Sequence, residues 1–61
     1  METIKQVLMR RDSMTEAEAE DQIQEAKETL QLYLADGDTA SAEDICTEFF
    51  GLEPDYLYDL L

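Results

Sequence analysis

Sixty-one residues with sixteen Asp and Glu against four Lys and Arg, a net charge of -12, have room for one small domain and exclude a second. The chain has no histidine, which removes Cys-His, Ser-His and His-metal chemistry, and its single cysteine excludes an internal disulfide. Residues 1–11 hold Lys5, Arg10 and Arg11 against Glu2, whereas residues 12–61 hold fifteen acids against Lys27 alone, so the acidity belongs to the body of the domain. Apolar and aromatic residues recur through that body at regular spacing, which argues for a folded domain rather than an acidic tail.

The first element is "ETIKQVLMRR", residues 2–11, where Ile4, Val7 and Leu8 fall at i, i+3 and i+4, the stripe of a short amphipathic helix. So short a run leaves an extended segment as the alternative. The apolar stretch Val7-Leu8-Met9 is too short for a signal-peptide core or a membrane span, so the expected compartment is the cytoplasm. In "DSMTEAEAE", Thr15 can cap a second helix and Glu18, three residues later, completes a capping box. From about Thr15 to Ala35 the apolar positions Ala19, Ile23, Ala26, Leu30 and Tyr33 recur at steps of four, three, four and three, with Leu34 widening the stripe.

Gly37 suits a left-handed helix end, and Asp38 or Thr39 can cap a third helix whose inner face is Ala42, Ile45, Cys46, Phe49 and Phe50. Gly51 ends that helix. Pro54 takes the favoured first-turn position of a last helix, with Leu57, Leu60 and Leu61 turned inward and Asp55 and Asp59 outward. The expected fold is all-α, a compact bundle of three to four short helices with a helix-turn-helix-like C-terminal half.

That half, "EDICTEFFGLEPDYLYDLL" at residues 43–61, invites a DNA-binding reading, but it carries six carboxylates and no Lys or Arg. A recognition helix offers Arg, Lys, Asn or Gln to base edges, whereas this one opens Glu53-Pro54-Asp55. Cations that neutralise phosphates supply most nucleic-acid affinity, so direct nucleic-acid binding is not expected. Two helices turning on a glycine to share a core account for the pattern.

The chemistry lies in the carboxylates. Glu18, Asp21, Glu25 and Glu28 step by three, four and three, so they line one helix face. Joined by Glu43, Asp44 and Glu48, they make a negative track of the kind a basic nucleic-acid-binding protein would mistake for DNA. An acid-rich outer face is ordinarily a solvated face and nothing more. Ordinary surface helices mix signs, however, and here only Lys27 tempers the acids. Crowded like charges are expected to raise the average carboxylate pKa and to favour folding at mildly acidic pH.

A calcium loop starting at Asp36 would need glycine at position 41 and glutamate at 47, where Ser41 and Thr47 stand, so no metal or cofactor is expected. Cys46, among Ile45, Phe49 and Phe50, reads as a buried structural thiol. The cluster from Phe49 to Leu61 holds more apolar surface than so short a helix pair can bury. Tyr56 and Tyr58 point to different sides, so at least one is expected to be exposed, and both are candidate partner-binding residues. The alternative to an acidic binding module is therefore a structural or regulatory homodimer that pairs through its apolar C-terminal face. An enzyme is not expected, since isolated carboxylates without histidine or a metal motif leave few routes to catalysis.

Two stretches carry a resemblance. Arg11, Asp12, Met14, Thr15, Glu18 and Ala19 form an R-D-x-M-T-x-x-E-A start, and Gly51, Leu52, Asp55, Tyr56 and Leu57 form a G-L-x-x-D-Y-L ending. The chain resembles, over nearly its whole length, small acidic proteins encoded by phages and prophages of Gram-positive, often gut, bacteria. Ser13 departs from the glycine that the resemblance leads one to expect at that turn. The resemblance implies a phage context and brings no activity with it. By analogy, small acidic phage proteins often inhibit host nucleic-acid enzymes, as anti-CRISPR and anti-restriction factors do.

Overall fold

The computed structural model describes residues 2–61. The chain enters its first helix, α1 (Ile4–Arg11), through a capping box: the Thr3 hydroxyl accepts from the Gln6 N–H at 3.2 Å, and the Gln6 side chain accepts from the Thr3 N–H at 2.9 Å. The N-terminal segment is thus helical, and Ile4, Val7 and Leu8 are buried as their spacing requires. Arg10 and Arg11 occupy its last turn, where cations suit the helix dipole.

The link from α1 to α2 (Glu16–Ala35) turns at Ser13, whose φ of 55° is left-handed and uncommon for a residue with a side chain. Thr15 and Glu18 then close the expected capping box, with Thr15 N–H donating to Glu18 Oε1 at 3.1 Å and Glu18 N–H to Thr15 Oγ1 at 3.2 Å. α2 sets the long axis of the molecule, since twenty residues at ~1.5 Å each give about 30 Å of a 34 Å extent. Ala19, Ala26 and Leu30 are fully buried, with Ile23 and Tyr33 packed beside them. Leu34, expected to widen this stripe, is instead 43% exposed. The physical reason is reach: α1 has eight residues, roughly 12 Å, and cannot cover the side of α2 to its last turn.

After Gly37, at φ 72°, Asp38 caps α3 (Thr39–Phe50) by accepting from the Ser41 N–H at 3.1 Å. α3 buries Ala42, Ile45, Cys46 and Phe50, and Phe49 meets Phe50 edge to face at 6.2 Å between ring centres. Its end is a left-handed Gly51, with Leu52 N–H donating to Cys46 O and Gly51 N–H to Thr47 O. α2 packs on both α1 and α3. Arg11 Nη2 reaches the carbonyl of Phe50 at 2.8 Å and so ties the end of α1 to the end of α3.

The last element departs from expectation. Pro54–Asp59 is a 3-10 helix of six residues packed on α3, not an α-helix. At ~120° per residue Leu57 and Leu60 eclipse each other while Leu61 falls away from them. Leu60 is accordingly buried, Leu57 half-buried, and Leu61 70% exposed rather than inward. Asp59 does not simply face solvent: its Oδ2 accepts the Ile4 N–H at 2.8 Å across fifty-five residues of sequence. This carboxylate sits at the positive end of α1 and joins the two ends of the fold. Among the described residues there is no strand, no buried polar side chain, and no helix long and apolar enough to cross a membrane.

Candidate interaction surface

The α2 capping box and the burial of Ala19, Ala26 and Leu30 fix the rotation of the helix, and that rotation decides where its acids point. At ~100° per residue Glu18, Asp21, Glu25 and Glu28 fall within an arc of about 80°, centred roughly 140° from the buried alanines and leucine. All four are exposed, and they share one solvent face. The same arc contains Leu32, 66% exposed, one turn beyond Glu28.

The three cations of α1 are engaged elsewhere. Lys5 bridges Glu16 and Glu20, each at 3.0 Å; Arg10 pairs with both oxygens of Glu2 at 2.9 and 2.8 Å; Arg11 does the same with Asp12 at 3.1 and 3.0 Å. Among the described residues, no ion pair reaches Glu18, Asp21, Glu25, Glu28, Glu43, Asp44 or Glu48. The α2 face therefore carries four negative charges without a compensating positive one.

The rest of the expected track is less uniform. Glu43, Asp44 and Glu48 on α3 are exposed. Asp44 and Glu48 stand one turn apart on one face, while Glu43 lies ~100° back from Asp44 on the flank. Glu18 has a structural duty as well. Its bonds to the backbone and hydroxyl of Thr15 hold its carboxyl below the ordinary range.

The same direction holds for the other shifted carboxylates. The Arg10 guanidinium holds Glu2 down, the Arg11 guanidinium holds Asp12 down, and the Ser41 hydrogen bond holds Asp38 down. The expected upward drift from crowding meets opposition at these four positions, because caps and ion pairs favour the charged form locally. Burial pushes the Cys46 thiol up, with the charge of Asp59 adding to the effect, so Cys46 is a poor nucleophile.

Of the two C-terminal tyrosines, Tyr56 is half-buried against the core and Tyr58 is 82% exposed, as their different directions require. With Leu61 it leaves apolar surface at the C-terminal end. A wide groove of about 700 Å³ runs between the start of α1 and α2, lined by Thr3, Lys5, Asp21, Ile23, Lys27 and Asp59 among others. It holds both lysines, so it lacks the single sign of the outer α2 face. Among the described residues no three acids or Cys46 converge where a metal ion could be held.

Sequence reasoning missed two residues of this surface. Leu32 was legible as the next step of the three-four pattern that carries the acids. Asp59 as an α1 cap was not legible, since nothing in the local sequence links positions 4 and 59. Comparison of the chain with protein-family models, with curated proteins and with solved structures returns no match.

Proposed function

We propose that this protein is a non-enzymatic binding module that presents the outer face of α2 to a basic, nucleic-acid-binding host protein and occludes its nucleic-acid site. An anti-CRISPR or anti-restriction inhibitor is the kind of role this describes. The observation that carries the reading is that, among the described residues, Glu18, Asp21, Glu25 and Glu28 make no ion pair while Lys5, Arg10 and Arg11 pair with other acids. The row bears one charge per roughly 5 Å of axis, against one per ~3.4 Å for a DNA strand, so the α3 acids would have to contribute for parity.

The test is affinity capture from host lysate at low and high salt, followed by titration of the captured basic protein. Binding is expected to weaken steeply with salt and to be displaced by nucleic acid. Glu18→Gln, Asp21→Asn, Glu25→Gln and Glu28→Gln together are expected to weaken it by at least about tenfold, about 1.4 kcal/mol. Gln at position 18 still completes the capping box, so the fold is retained. Unchanged affinity in the folded variant, or binding that nucleic acid cannot displace, overturns the reading.

The exposure of Tyr58 and Leu61 favours a second reading, a homodimer pairing through the C-terminal face. Light scattering decides it. A dimer that Tyr58→Asp converts to monomer supports self-pairing, and a monomer at micromolar concentration removes it.

A further inference from the structure

The face of α2 that carries the acids does not end in an acid. The three-four spacing runs Glu18, Asp21, Glu25, Glu28 and then Leu32, an aliphatic side chain left 66% exposed on the outer face of the helix. Fourteen residues separate the ends of this row, about 21 Å at ~1.5 Å per residue. Three kinds of occupant are disfavoured by charge. A second copy would set the same row of acids against itself in parallel, or Leu32 against Glu18 in antiparallel, and each chain carries -12. Nucleic acid and anionic lipid surfaces meet the same repulsion.

A cationic polypeptide remains, and the spacing discriminates between its conformations. The four acids span ten residues of helix, about 15 Å. An extended basic segment offers same-side residues every ~6.6 Å, so four of them span about 20 Å and drift out of register by the end of the row. A partner helix with Lys or Arg at the same three-four spacing keeps step throughout. It also brings an apolar residue of the same ridge over Leu32.

We propose that the outer face of α2 docks one basic amphipathic helix of the partner, with cations against Glu18, Asp21, Glu25 and Glu28 and an apolar residue against Leu32. This rests on the acidic-face reading above and adds the partner's conformation and an apolar anchor to it.

Two synthetic peptides of identical composition test it by fluorescence anisotropy on the full chain. One carries Lys at three-four helical spacing with Leu at the next step, and the other has the same residues scrambled around the helix. The registered peptide is expected to bind at least about tenfold more tightly than the scrambled one. Leu32→Ala is expected to reduce that binding by about threefold, with no effect on the scrambled peptide. Amide shifts in nuclear magnetic resonance spectra should map to α2. Equal affinities for the two peptides, or a Leu32→Ala variant that binds the registered peptide like wild type, overturns the docked helix. If Asp21→Asn, Glu25→Gln and Glu28→Gln together still weaken both peptides in that case, the acidic-face reading survives alone. If they weaken neither, it fails as well.

Discussion

Asp59 joins the ends of the fold, and its removal has a calculable cost. Its carboxylate takes the Ile4 N–H, one of the amides at the start of α1 that has no partner within the helix. Hydrogen bonds to charged acceptors contribute ~1.5–3 kcal/mol when well shielded. This one is only part-buried, and solvent competes for the carboxylate, so a net contribution of about 1 kcal/mol is the reasonable figure. A domain this size has roughly 3–9 kcal/mol of total stability. At ~4–8 °C per kcal/mol, Asp59→Ala should therefore lower the melting temperature by about 4–8 °C. Asp59→Asn keeps an acceptor and loses the charge at the helix N-terminus, so it should fall between Ala and wild type.

Thermal unfolding followed by far-UV circular dichroism reads the first effect, and amide hydrogen exchange at Ile4 reads its location. Exchange at Ile4 should speed up in Asp59→Ala more than in Asp59→Asn. Asp44→Ala is the control: an exposed acid of α3 with no ion pair among the described residues, whose replacement should not lower the melting temperature. If Asp59→Ala melts with the wild type and leaves the Ile4 amide protected, the contact does not hold the chain ends together and the reasoning fails.

Two further perturbations follow from the backbone and the shifted carboxylates. Ser13 holds a φ of 55°, so Ser13→Gly should relieve left-handed strain of ~1 kcal/mol, partly offset by the greater freedom of glycine in the unfolded chain, and raise the melting temperature by a few degrees; a drop would mean that the serine side chain stabilises the turn. Glu2, Asp12, Glu18 and Asp38 have pKa values depressed by folding, so the stability they confer is present above the unfolded values near ~4 and is lost as pH falls through the folded ones. Melting temperature should therefore drop steeply between about pH 4.5 and pH 2.5, and a melting temperature that climbs through that range would show that relief of repulsion among the remaining acids outweighs these bonds.

Most of the helical frame was legible in local signals. Thr15 and Glu18 marked the start of α2, Gly37 and Gly51 the ends of two helices, and apolar spacing picked out Ile4, Val7, Leu8, Ala19, Leu30, Ile45 and Phe50. The α1 box was legible too, because Thr3 and Gln6 stand in the same relation as Thr15 and Glu18. The errors came where the answer depended on another element. Leu34 has the right phase for the core, but α1 is too short to meet it. Leu61 has the right phase for an α-helix, but a six-residue end that follows Pro54 winds as a 3-10 helix. The conformation of the turn at Ser13 was not legible, and it is left-handed with serine in it.

The acids of this chain divide by what they hold. Glu2, Asp12, Glu16 and Glu20 balance the cations of α1, Asp38 caps α3, and Asp59 caps α1. Asp21, Glu25 and Glu28 make no ion pair among the described residues, and mutual repulsion across one helix face opposes the fold. Glu18 belongs to both groups, bound to Thr15 through one oxygen and placed at the head of the unpaired row. A chain that spent its acids only on solubility would gain stability by scattering Lys among them at i, i+4. Lys27, the lone cation of residues 12–61, lies about 100° off the nearest edge of the row and leaves it one-signed. Neutralising Asp21, Glu25 and Glu28 should thus leave folding unharmed or improved while any cationic partner is lost. Losses of stability and binding together would instead mean that these three carboxylates serve the fold.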